Sequence, residues 1–245
     1  MTDASASTSS NRLGPSLVTA LAATPTIDRD HPEVRAFAGR IVSGAENDVE
    51  AGVRLFDAVR DGVMYDPYSC DLSIDGMRAS TTLATRRAWC VPKAVLLAAA
   101  CRAIGIPARL GFADVRNHLS TPRLRELMGT DIYAWHGYVS MQLAGKWVKA
   151  TPAFNARLCE RFGLLTVAFN GREDSLLHPA DREGRQHLEY IADRGEHDDT
   201  PLEAIRATFE VTYPKLIAAM TAPRATRARD AFTDEAAPAD DVSGP

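Results

Sequence analysis

The residues of this 245-residue chain able to do chemistry start with a single thiol. Cys90 lies in RRAWCVPKAVLLAAACRAIGIPARLGF, residues 86–112, at the start of what the pattern predicts as a long apolar helix. A helix start offers unpaired N–H groups and the positive end of a dipole, which lower a thiol pKa and can donate to an oxyanion. A cysteine there is placed to attack a carbonyl carbon. The plainer alternative is a buried small hydrophobe, as expected for Cys101. Cys70, Cys101 and Cys159 make no C-x-x-C pair, and four cysteines in a chain this long do not form a disulfide scaffold, so all are expected as free thiols. The chain has no H-E-x-x-H and no Asp-rich calcium loop, and its 16 glycines are spread over turns instead of gathered into a phosphate loop. The expectation is no metal and no cofactor.

Several elements must hold Cys90 in place. Its helix is predicted from about Cys90 to Ala103, with Pro92 in the first turn and Gly105 then Pro107 ending it. Apart from Lys93 and Arg102 it is apolar on every side, which predicts a helix packed all round. Two amphipathic helices precede it, in DHPEVRAFAGRIVSG and NDVEAGVRLFDAVRDGV, the second capped by Asn47 or Asp48, with a short helical piece near Met77 to Leu83. Three strands follow, ARLGFADV, YAWHGYVSMQL and KWVKATPAF, the last two joined at Ala144 and Gly145. In the middle strand a period of two sets Tyr133, Trp135, Gly137, Val139, Met141 and Leu143 on one face and His136, Tyr138, Ser140 and Gln142 on the other. A short helix is expected near 156–162 and a last one from Leu202 to about Met220. The polar stretch 171–201 between them reads as a solvated excursion or a lid.

The first residues, MTDASASTSS, and the tail from Ala222 lack apolar periodicity. The expected organisation is a mostly disordered arm over 1–26, one domain over 27–221 and a disordered tail over 222–245. A net charge of −4 and scattered arginines argue against nucleic acid as a partner. No apolar run approaches the length of a membrane span and no leader pattern opens the chain, so a cytoplasmic protein without a membrane partner is expected. Nothing in the sequence sets an oligomeric state.

Taken together, WCVPKAVLLAAACRAIGIPARLGF, WHGYVSMQL and GKWVKATPAFN, in this order and spacing, resemble the transglutaminase-like superfamily over residues 65–155 or so. Segments such as RDGVMYDPY, GFADVRNHLST and KATPAFN are similar to a bacterial subgroup of it. The resemblance implies an α+β, papain-like fold with a buried Cys-bearing helix packed on an antiparallel sheet. It also implies Cys90 as nucleophile and His136 as general base, poised as a thiolate–imidazolium pair. The reaction implied is acyl transfer from an amide or thioester through a thioester acyl-enzyme. Its partner is an acyl substrate, which is a small molecule, a peptide or a carrier-protein thioester. A narrower expectation is a Dieckmann-type cyclase releasing a carrier-bound thioester as a tetramic acid or pyridone. An expectation of another class is a binding module that kept the fold and lost turnover.

One position departs from the family. The superfamily usually has an Asp fifteen residues after the His, and here WVKATP puts Thr151 there. Asp114, on the neighbouring strand, is expected to orient His136 instead. Asp131 is the reserve, and Thr151 or Asn155 could act as neutral acceptors. The backbone N–H of Cys90 is one oxyanion donor, with Tyr65 or Tyr68 as candidates for a second. His118 is expected near the cleft, and His178, His187 and His197 in solvent.

Overall fold

The structure, a computed structural model, describes residues 15–177 and 180–221 together with Phe232 and Glu235. Its first elements are helices α1 (Pro15–Thr19), α2 (Pro32–Ile41) and α3 (Asp48–Gly62), then strand β1 (Met64–Tyr65). Helices α4 (Ile74–Met77) and α5 (Ala79–Thr85), strand β2 (Arg87–Ala88) and helix α6 (Cys90–Ala103) follow. The second half runs β3 (Ala108–Asn117), α7 (Pro122–Met128), β4 (Ile132–Leu143), β5 (Lys146–Ala150), α8 (Ala156–Arg161), β6 (Leu188–His197), α9 (Leu202–Thr212) and α10 (Pro214–Thr221).

Helix α6 is the centre of the packing, and every residue from Cys90 to Arg102 is buried. It is covered by β3 and β4 on one side and by α2, α3 and α5 on the other. Its alanines allow close approach, and at Gly137 of β4 an added Cβ would lie 3.1 Å from the Val91 Cα. The two charged residues inside are satisfied by carbonyls. Arg102 donates to Ala108 O, Ala22 O and Asp198 O at 3.0, 2.7 and 2.8 Å. Lys93 Nζ donates to Arg60 O and Val63 O at 2.8 and 2.5 Å. Each ties the central helix to neighbouring segments, because a buried polar group must find partners.

The main sheet is antiparallel, in the order β5-β4-β3-β6. The alternation read for β4 holds beyond Gly137: Met141 meets Cys101 of α6 at 3.5 Å, and Leu143 lies against Gly52 of α3. On the opposite face the Tyr138 ring lies over Gly111 and occupies the space of its missing Cβ. The register shifts between Ala113 and Val115, and across from that bulge Trp135 has a φ of 61°. A bulge re-aims the strand locally, and it does so at the residue before His136.

Two expectations need correction. The polar stretch 171–201 is neither a solvated excursion nor a lid, because it contains β6, an edge strand paired along β3. The expected last helix is two helices: Pro214 cannot continue α9, and Tyr213 before it adopts φ −126°, ψ 55°. Packed residues also lie outside the expected domain limits of 27 and 221. Ala20 is fully buried and its carbonyl accepts the Ala108 N–H. Phe232 stacks on Phe162 and meets the rings of Tyr65 and Tyr68. Residues 1–14 of the expected arm, and the tail apart from Phe232 and Glu235, lie outside the described residues.

Candidate active site

Cys90 opens α6 behind Trp89, whose extended backbone (φ −82°, ψ −177°) serves as N-cap without a side-chain cap bond. The first-turn N–H groups are therefore open to other acceptors. The backbone N–H groups of Gly137, of Val91 and of Cys90 itself favour the Cys90 thiolate. Gly137 follows His136 directly, so the strand carrying the histidine touches the thiol. Cys90 and His136 line one cleft of about 610 Å3, measured with its open mouth.

The environment of the pair is dry. Burial pushes the Cys90 thiol up to about 11, against the three N–H groups that favour its thiolate. Burial also lowers His136 to about 4. Burial thus works against the expected thiolate–imidazolium pair and favours the neutral thiol and the neutral imidazole.

His136 Nε2 is 3.2 Å from the Thr151 hydroxyl, which donates to Gly137 O at 3.3 Å. With its one proton given to that carbonyl, the hydroxyl can only accept from Nε2–H. The network therefore assigns the proton to Nε2 and leaves Nδ1 as the basic nitrogen.

Asp114 does not orient His136. Its carboxylate accepts from Arg194 Nε and Nη2 at 2.5 and 2.8 Å and from the Trp135 backbone N–H at 3.1 Å. The bulge turns it toward β6 and the strained Trp135 peptide, and the Arg194 guanidinium lies 4.5 Å over the Trp135 ring. The reserve Asp131 pairs with Arg116 at 3.2 Å. Asn155 also turns away from the histidine. It accepts from Tyr65 N–H at 2.7 Å and donates to Arg60 O and Val63 O, the two carbonyls that Lys93 holds. Lys93 and Asn155 together fix the end of α3 and the Tyr65 wall of the cleft.

Tyr65 lines the cleft, whereas the Tyr68 hydroxyl is engaged by Glu235 at 2.8 Å. His118 stands 3.5 Å from Glu189. His187 is buried, not solvated, and stacks on Phe154, a lining residue. His197 packs edge-on against Phe112, and His178 lies outside the described residues. Sequence reasoning passed over Trp89. It is 6% exposed, it lines the cleft, and its indole N–H has no hydrogen-bond partner among the described residues. Its place next to Cys90 was the available signal.

A family model for the transglutaminase-like superfamily matches residues 35–152, which carry α6 with Cys90, β4 with His136, and Thr151. Residues 35–152 form a transglutaminase-like domain. None of the curated proteins matches the chain. Among solved structures it is similar to a candidate cysteine protease from Cytophaga hutchinsonii, at 16% identity and a TM-score of 0.44, over 76% of this chain and 55% of that one. It is also similar to a candidate protease from Parabacteroides distasonis, at 20% identity and a TM-score of 0.36, over 53% of this chain and 26% of that one. The chain thus spans about half the length of the first and about a quarter of the second. The transglutaminase-like domain has the expected α+β architecture, a buried Cys-bearing helix on an antiparallel sheet. No helix among the described residues is long and apolar enough to cross a membrane.

Proposed function

We propose that this transglutaminase-like chain is a cysteine acyl-transfer enzyme with Cys90 as nucleophile and His136 as base. The observation that carries the reading is the contact of the Cys90 sulfur with Gly137 N–H while Thr151 holds the neighbouring imidazole by Nε2. His136 Nδ1 takes the thiol proton as sulfur attacks the carbonyl of an amide or thioester. The first-turn N–H groups of α6 face the charge that develops on oxygen. The intermediate collapses to a thioester on Cys90, and the Nδ1 proton leaves with the amine or thiol. Water, an amine or a carbanion of the substrate then resolves the acyl-enzyme. The carbanion case is the narrower, Dieckmann-type version, in which a carrier-bound thioester leaves as a tetramic acid or pyridone.

A second reading is a binding module without turnover, favoured by Thr151 in place of an acid and by a thiol that is neutral at rest. Intact-mass spectrometry of wild type and Cys90→Ala after incubation with acyl thioesters, alongside product analysis, separates the two. Acylation or turnover by wild type alone supports the enzyme, with a released ring selecting the cyclase. No adduct and no product would leave the binding module as the better account.

A further inference from the structure

Most of the cleft at Cys90 is walled by apolar side chains. Leu124 and Met128 come from α7, Phe209 from α9 and Leu216 from α10, with Leu177 and Leu188 closing the side toward β6. No Asp, Glu, Lys or Arg side chain lines it among the described residues. Two of its polar side chains are already engaged. The Tyr133 hydroxyl bonds with Ser120 at 2.6 Å, and the Asn117 side-chain oxygen accepts from Leu119 N–H at 3.1 Å. The Trp89 indole N–H is different, because it is buried beside Cys90 and has no acceptor among the described residues. A buried donor left unpaired is costly, and an occupant that brought an oxygen to it would remove that cost. A charged occupant would find no counter-charge, and burying an unpaired charge is among the most unfavourable events in a protein interior.

Building on the acyl-transfer reading, we propose that the site takes an uncharged, apolar acyl group, aliphatic or aromatic, carrying an acceptor oxygen for the Trp89 N–H. The transfer is balanced without a further reactant. A bond forms from the Cys90 sulfur to the acyl carbon, the bond to the donor thiol breaks, and the Cys90 proton passes through His136 to that thiol.

The test follows Cys90 acylation of the full chain by intact mass, with N-acetylcysteamine thioesters of acetic, butyric, hexanoic and octanoic acids and the half-thioester of adipic acid. The rate constant is expected to rise about fourfold per added methylene until the cleft is filled. The terminal carboxylate of the adipoyl group is expected to cost about a hundredfold or more against hexanoyl. Trp89→Phe keeps the ring, removes the donor and should slow octanoyl transfer about tenfold. Equal rates across the series, or a preference for acetyl or adipoyl, would overturn the proposal, and an unchanged rate in Trp89→Phe would overturn the assigned hydrogen bond. If the thiol accepts no acyl group, the acyl-transfer reading fails, and titration of Cys90→Ala with butanamide, hexanamide and octanamide decides the substrate class separately. Binding that tightens with chain length would uphold the apolar site; no binding of any amide would overturn it.

Discussion

The Thr151 hydroxyl lies 3.2 Å from His136 Nε2 and 3.3 Å from Gly137 O, a neutral link at the position where the superfamily usually carries a carboxylate. It fixes the tautomer of the imidazole and adds no charge to favour protonation. With burial unopposed, the histidine is lowered to about 4.

Restoring the charge should therefore move the pH profile. In wild type the acid limb of kcat/KM is expected near 4, where free-enzyme His136 protonates. Thr151→Asp should raise that limb by about 1–3 pH units, since an adjacent carboxylate favours the imidazolium. Thr151→Val keeps the shape but leaves Nε2–H unpaired, and kcat should fall about tenfold or more. An acid limb that stays put in Thr151→Asp would remove Thr151 from contact with the base.

The same histidine sets a stability slope. Its folded pKa of about 4 lies below the ordinary 6.5, so the unfolded chain binds the extra proton between those values. The His136 contribution is complete above 6.5 and is lost as pH falls through about 4, a range worth about 3 kcal/mol. Urea midpoints measured from pH 7 to 4 should fall for wild type, and less steeply for His136→Asn.

Alkylation reads the thiol directly. With Cys90 pushed up to about 11, its rate with iodoacetamide should be low at pH 7 and climb about tenfold per pH unit toward that value. His136→Ala should leave the rate at pH 7 within about twofold, because no resting ion pair is lost. A plateau reached below pH 8 would instead indicate a preformed thiolate.

Asp114 acts on the backbone. Its carboxylate receives Trp135 N–H at 3.1 Å while Trp135 holds a φ of 61°, a left-handed conformation that a bulky side chain adopts at a cost. Asp114→Ala should lose about 1–3 kcal/mol in denaturant unfolding, and kcat should drop as His136 loses its fixed position. Asp114→Asn retains an acceptor and should recover most of both. In neither variant should the acid limb move, which distinguishes a positioning residue from a partner of the imidazole.

Periodicity was enough to find α6, observed at Cys90–Ala103, and the three strands around it, because a helix apolar on nearly every side and alternating runs of apolar and aromatic residues leave strong patterns. The same reasoning passed over β6. Five of its residues in a row, Glu189–Asp193, are exposed, Gly195 takes a φ of 80°, and two register shifts break the alternation that marks a strand. The partner of His136 was misjudged for a related reason. Strand order alone brings Asp114 beside the histidine strand, but the bulge at 113–115 and the Arg194 guanidinium from the unseen β6 decide where its carboxylate points. Thr151, one of the two neutral acceptors named from the sequence, sits where the ring needs an acceptor.

Cys90 is the first residue of a helix buried from Cys90 to Arg102. Amides in such an element exchange with solvent only when the surrounding structure opens as a whole. Deuterium uptake along 94–102 should therefore be among the slowest in the chain and report the global unfolding free energy. The proposed nucleophile rides on the last part of the molecule to open, so heat should abolish thiol chemistry and fold in one transition.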